Sequence, residues 1–344
     1  MRFRAFLPVL FLAGIASACQ IPVYRYAIAQ WPTDPYEVLI FTKGELSPAQ
    51  KNTVADLTAV GLKKNGAAKS NAGPAAAAAG VFFNVRLCSP DDSIAKANKQ
   101  LMAAGATLPY PWAAVMFPKD SKIPVPLWMG ALDTMPVKAL SASPARKAVY
   151  DRLAKGATAV WVLLESGDKR KDGEAEKTLE KGLKVCKDSL KLPEITKIDR
   201  EQMGKIAEGL GITFSIVKVS RTDPQEQTLV KLLISSERGL GAFEKEPMAF
   251  PIFGRGRLLY ALVGKGINQK NITQANAFLT GPCACTVKEQ NPGKDVLMTY
   301  DWGPLVKTSV DADDKGLPQL RSMSSSQCIV NKDSLAAKTE MPRN

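Results

Sequence analysis

The run Ala159-Val160-Trp161-Val162-Leu163-Leu164-Glu165, followed by Ser166-Gly167-Asp168 and then by Leu179, Leu183, Cys186 and Leu190, decides the fold class. An unbroken apolar run that ends on a carboxylate reads as a strand covered on both faces. The four later residues fall at helical spacing, with Glu180 and Lys184 one turn apart on the wet side. A buried strand that hands over to an amphipathic helix opens a strand-helix-strand unit, and residues 212–219 supply its second strand. Asp223-Pro224-Gln225-Glu226 then predicts a helix reaching about Ile234, because aspartate accepts from free backbone donors and proline fits the first turn. Residues 248–253 and 258–263 flank Gly254-Arg255-Gly256-Arg257 as a hairpin, and 271–279 form a closing helix.

The same order stands upstream. Tyr36-Glu37-Val38-Leu39-Ile40-Phe41-Thr42 reads as a buried strand, and Ser47-Pro48-Ala49-Gln50 as a capping box with proline just inside the helix. Residues 65–80, with an alanine run at 75–79, have no periodic apolar face and read as a flexible insertion before a strand at 81–87. Leu108-Pro109-Tyr110-Pro111 leads into a hairpin of 112–117 and 127–132, and Ser143-Pro144-Ala145 opens a helix that stops at Gly156. Two copies of strand, helix, strand, hairpin and helix resemble tandem thioredoxin-like domains. The resemblance implies an α/β protein of two three-layer α/β/α domains, 36–157 and 158–302, while the polar residues 303–344, with Ser324-Ser325-Ser326, read as a disordered tail. A single larger α/β sheet is the competing arrangement.

Ahead of the first strand, Arg2 and Arg4, an apolar run and Ala16-Ser17-Ala18-Cys19 have the form of an export signal over 1–18. The apolar run is too short to span a bilayer. Two processing routes fit: cleavage after Ala18, or lipoprotein processing that acylates Cys19 and holds the chain at a membrane through residues 19–35 as a membrane-proximal linker. The second gives a lipoprotein on the periplasmic face of a membrane. The formal charge is +13, but it is spread as +3, +6, +3 and +1 over residues 1–31, 32–157, 158–302 and 303–344. The densest cluster, Lys169-Arg170-Lys171, is answered by Asp168, Asp172, Glu174 and Glu176, so the distribution argues against nucleic acid as a partner and for weak attraction to anionic membrane surfaces. The chain contains no histidine, which excludes histidine-assisted nucleophiles and histidine-based zinc sites.

The stretches Cys19-Gln20-Ile21-Pro22-Val23-Tyr24-Arg25-Tyr26-Ala27 with Trp31-Pro32, Ser143-Pro144-Ala145-Arg146, Ala159 to Gly167, Pro251-Ile252-Phe253-Gly254-Arg255-Gly256-Arg257 and Gly281-Pro282-Cys283-Ala284-Cys285 resemble an uncharacterised family of exported, planctomycete-type bacterial proteins with tandem thioredoxin-like domains. That resemblance implies location and architecture and carries no activity.

A thioredoxin-type oxidoreductase places two cysteines between its first strand and first helix, where the helix amino terminus lowers a thiol pKa. Here those positions read Lys43-Gly44-Glu45-Leu46-Ser47 and Ser166-Gly167-Asp168-Lys169, with no thiol in either. The resemblance also implies a cis proline at Pro111, Pro247 or both, beside a binding groove. Cys283-Ala284-Cys285 is the one local thiol pair. Export favours a structural disulfide there, followed by redox work and then by a soft-metal site. Cys186, on an apolar helical face, reads as buried and inert.

Glu165 and Asp168, past the carboxyl end of a central strand, and Arg255 and Arg257, at a hairpin tip, are the candidate partner-binding residues. Gly254-x-Gly256 lies between two strands and so does not read as a dinucleotide loop. The expectation is therefore a non-catalytic, membrane-tethered protein without cofactor or metal that binds an envelope protein or peptide. A thiol-disulfide oxidoreductase or soft-metal carrier using Cys283 and Cys285 is the alternative.

Overall fold

A computed structural model describes residues 20–60, 82–195, 197, 211–290 and 292–303. Residues 1–18, read above as an export signal, Cys19, the stretch 65–80 read as an insertion, Val81 and the residues beyond Gly303 lie outside these residues. The described chain is a mixed α/β protein with two sheets and helices. In chain order its helices are α1 (Val23–Gln30), α2 (Pro48–Ala59), α3 (Ser93–Ala97), α4 (Lys99–Ala104), α5 (Val137–Ser141), α6 (Pro144–Ala154), α7 (Lys169–Ser189), α8 (Gln227–Ser235), α9 (Gln269–Thr280) and α10 (Cys285–Gln290).

The first sheet contains β1 (Tyr36–Phe41), β2 (Phe83–Cys88), β3 (Trp112–Met116) and β4 (Pro126–Ala131) in the order β2-β1-β3-β4. β1 is parallel to β2, with Val38 opposite Val85, and antiparallel to β3, with Leu39 opposite Ala114. β4 pairs antiparallel with β3. The second sheet contains β5 (Ala159–Glu165), β6 (Phe214–Ser220), β7 (Met248–Phe253), β8 (Arg257–Leu258), β9 (Leu262–Val263) and β10 (Lys294–Asp295). β5 is parallel to β6 and antiparallel to β7, β8 is antiparallel to β7, and the order β6-β5-β7-β8 repeats that of the first sheet. β10 extends this sheet beside β8, and β9 returns to β7.

Local chemistry sets the helix starts. Gln50 N–H donates to Ser47 Oγ at 3.3 Å while Ser47 N–H donates to Gln50 Oε1 at 2.9 Å, which is the reciprocal capping box. Ser143 accepts from Arg146 N–H at the head of α6, and Asn268 accepts from Asn271 N–H at the head of α9. α8 begins at Gln227, later than Asp223 suggested: Asp223 closes a turn by accepting from Gln225 N–H. Glu226, at the α8 cap position, is buried and accepts from Ala145 N–H at 2.7 Å, so its carboxylate serves the amino end of α6 instead of its own helix.

The inner faces of both sheets bury into one another through shared helices. Val38, Ile40 and Val115 of the first sheet, Leu140, Val149 and Leu153 of α5 and α6, Leu229 and Leu233 of α8, and Val160, Val162 and Phe250 of the second sheet belong to a single apolar cluster. Each sheet keeps a cluster on its outer face. Phe41, Trp112 and Leu101 lie outside the first, and Trp161, Leu163, Leu179, Leu183, Cys186 and Leu279 outside the second. Residues 36–157 and 158–302 are therefore not bodies with separate cores, because the faces that meet are both too apolar to be left in water.

A second correction concerns residues 19–35. Their described portion is not a linker: α1 buries Val23, Tyr24, Ala27 and Ile28, and Val23, Tyr24 and Ala27 join Trp31 in the cluster outside the second sheet. The 23-24-27-28-31 spacing is the mark of an amphipathic helix.

Candidate functional site

The two equivalent strand ends, beyond β1 and beyond β5, are where the strand order places comparable loops, and they differ in how their polar groups are used. At the β1 end, Thr42 N–H donates to Cys88 O at 3.0 Å, and the Thr42 hydroxyl donates to Gly44 O at 2.6 Å. Lys43, Gly44 and Glu45 are exposed, and Leu46 turns inward before α2 begins. Across from this loop, the Tyr110–Pro111 peptide bond is cis, Pro111 O accepts from Leu132 N–H, and the Lys43 ammonium lies 4.5 Å from the centre of the Tyr110 ring. Phe41 and Trp112 stack beneath at 4.4 Å between ring centres, which seats the ledge on a rigid floor. Gln50, in the first turn of α2, donates from its amide to Asp133.

The nearby thiol at this end belongs to Cys88, which is buried. Burial first, and then Asp92, pushes its pKa from the ordinary 9.0 up to about 11. A thiol so protonated is a poor nucleophile at neutral pH.

At the β5 end the loop is tied shut. Asp172, buried in the first turn of α7, accepts from Ser166 N–H at 2.8 Å, Ser166 Oγ–H at 2.8 Å and Gly167 N–H at 3.0 Å. Asp168 caps α7 by accepting from Arg170 N–H at 2.9 Å and Lys171 N–H at 3.1 Å, and these bonds, the Lys171 one first, hold its carboxyl below the usual range. Glu165 closes β5 opposite Ser220. Of the two candidate partner-binding residues at this edge, Glu165 is half-buried at the strand end and Asp168 is exposed while it caps α7.

Opposite, Lys171 donates to Glu246 and to Lys245 O, and Arg221 donates to Glu246 O at 3.1 Å. The Glu246–Pro247 bond is trans. A cis proline was expected at Pro111, Pro247 or both, and among the described residues the cis bond is the one before Pro111.

Arg255 and Arg257 are not at a solvated tip. Both are buried. Arg255 donates from Nε to Ile28 O at 2.7 Å and from Nη2 to Ala29 O at 3.0 Å, where it satisfies carbonyls at the carboxyl end of α1. Arg257 donates to Asp295 through Nε and Nη2 at 3.2 and 3.1 Å and lies 5.5 Å from the Trp31 ring centre. Asp295 also accepts from Asp34 N–H, and its carbonyl accepts from Tyr36 O–H at 2.8 Å.

The glycines permit this close packing. A Cβ on Gly254 would lie 2.8 Å from the Ala27 Cβ, and one on Gly256 would lie 2.6 Å from Met298 Cγ, at φ of +60° and +91°. The charged motif is therefore an internal clasp that joins α1, β8 and β10.

Cys283 is buried in the cluster outside the second sheet, and Cys285 is the first residue of α10. Cys186 is buried with its Sγ 3.7 Å from Thr273 Oγ1. Among the described residues no group of three or more His, Cys, Asp or Glu side chains is placed to hold a metal ion, and no helix is long and apolar enough to cross a membrane. Sequence reasoning missed Asp172, hidden in a charge run that reads as solvated, and Glu226, which reads as part of a cap. It also missed Arg146, fully buried, which donates to Ser143 Oγ and to the carbonyls of Ala139, Leu140 and Leu297.

The chain is thus an α/β protein of two mixed sheets that share one strand plan and a common inner layer. No family model, curated protein or solved structure matches it.

Proposed function

We propose that this is an exported lipoprotein, held by an acylated Cys19 on the periplasmic face of a membrane, whose two halves are thioredoxin-like units that bind an envelope protein or peptide without thiol chemistry. The leader pattern and the resemblance to exported family proteins support the address. The repeated order β2-β1-β3-β4 and β6-β5-β7-β8, each with a parallel first pair and an antiparallel hairpin, supports the fold assignment.

One observation carries the docking reading. At the β1 end, Lys43, Glu45, Tyr110 and cis-Pro111 form an open ledge of cation, carboxylate and aromatic ring over a packed aromatic floor, in the position where a redox relative would hold its thiols. A ledge with an aromatic anchor and polar rim suits an extended peptide.

Photo-crosslinking in intact membranes tests this. A crosslinking residue placed at Lys43 or Tyr110 is expected to capture a discrete partner, whereas one at Ser166, or at Lys119 beside Glu37 on the opposite end of β1, is not. Equal capture at all positions, or none at Lys43 and Tyr110, contradicts the reading. The thiol alternative is tested by disulfide-reductase turnover that a Cys285→Ser variant abolishes.

A further inference from the structure

We propose that the face carrying Gln20, Pro282, Thr286 and Gln290 lies flush on the lipid headgroup layer, so that an acylated Cys19 fixes the orientation of the whole body and does not leash it. This rests on the lipoprotein reading above and adds to it a surface and a partner, the bilayer itself.

The argument starts from how soon after Cys19 the chain is pinned. Ile21 is 5% exposed, and its carbonyl accepts from Cys283 N–H at 2.8 Å. Val23 N–H donates to Gly281 O at 3.0 Å, and Pro22 and Pro282 form an antiparallel bridge between the two segments. From Val23 onward α1 is locked. Tyr24 O–H donates to Gly211 O at 3.2 Å, Ala27 packs under Gly254, and Arg255 holds the carbonyls of Ile28 and Ala29.

One residue, Gln20, lies between the acylation position and the first buried side chain, that of Ile21. The two Cα-to-Cα steps from Cys19 to Ile21, fully extended, span at most about 7 Å. Acyl chains carried by Cys19 enter the hydrocarbon, so Ile21 and the 281–283 segment bonded to it stand at the headgroup boundary.

The surface around that point suits apposition. Gln20 is half-buried and uncharged, above the buried Ile21 and Pro22. Pro282, Thr286 and Gln290 are exposed there. The anchor sets the contact. A consequence follows for the thiol pair: Cys283 and Cys285 sit in the membrane-proximal segment, while the Lys43–Tyr110 ledge belongs to the other half of the chain.

Amide hydrogen exchange on the full-length protein, purified from membranes and reconstituted into phosphatidylcholine–phosphatidylglycerol vesicles, tests the proposal. The comparison is with a variant carrying a spacer of about 12 Gly and Ser residues between Gln20 and Ile21, enough to reach about 20 Å. Mass spectrometry of the Cys19 peptide accompanies both. The expected result is an acylated peptide in both proteins, amides of residues 284–290 that exchange about tenfold more slowly in the native protein than in the spacer variant, and unchanged exchange at residues 42–47. Acylated Cys19 with equal exchange at 284–290 overturns the flush orientation and leaves the lipoprotein reading standing. An unmodified Cys19 peptide overturns both.

Discussion

The β1 and β5 ends occupy equivalent places in one repeated strand plan, yet their polar groups are spent differently. Beyond β5, the Asp172 carboxylate takes the backbone donors of Ser166 and Gly167, and Lys171 and Arg221 hold Glu246 across the gap. Beyond β1, Lys43, Gly44 and Glu45 remain exposed, and the polar contact across to Asp133 comes from the exposed Gln50 amide. The contrast teaches how a duplicated architecture divides labour. One copy closes its edge with internal hydrogen bonds and serves as a base for α1, while the other leaves its edge able to bond something else.

The largest effect that can break this comparison is on stability. Asp172→Ala strands three donors at the closed end and is expected to cost about 3 kcal/mol in denaturant unfolding, whereas Asp133→Ala at the open end costs less than about 0.5 kcal/mol. Similar costs at both ends would show that the two edges are not differently built.

A smaller effect separates the thiol at the open end from a reactive one. Cys88 has its pKa raised in the folded state to about 11 from 9.0, so the folded chain holds this proton more tightly than the unfolded chain. Its contribution to stability is complete below the unfolded value, falls as pH rises above about 9 and is lost once pH passes about 11. Iodoacetamide labelling at pH 8 should accordingly be slow in the native protein and rapid in urea. Equal rates in both states would place a reactive thiol at the β1 end.

The smallest effect sharpens the local picture. Ser47→Ala removes half of the capping box at the head of α2 and should cost about 1 kcal/mol while leaving partner capture through Lys43 intact. Loss of capture together with that small cost would move the docking surface from the ledge to the helix terminus.

What could be read from residues alone was local. Ser47-Pro48-x-Gln50 and Ser143-Pro144 announce helix starts because capping is settled within four residues. Ala159 to Leu164 announces a central strand because a short apolar run rich in branched and aromatic residues fits a strand covered on both faces, and Cys186 announces its burial by falling on the Leu179–Leu183 face. What failed was everything decided at long range. Arg255 and Arg257 look solvated at a hairpin tip until α1 and β10 close over them, more than 220 residues away in one case. Residues 23–31 carry a legible helical stripe, but its position behind a stretch that reads as an export signal disguised a core helix as a linker. The shared inner layer was invisible because each half, read alone, has enough apolar faces to make its own core.

The most direct test of the divided edges is amide hydrogen exchange on the purified protein at residues 43–46 and 166–168. The account predicts slow exchange at Ser166 and Gly167, whose N–H groups are held by Asp172, and fast exchange at Lys43 and Glu45. Equal protection of the two loops would contradict it.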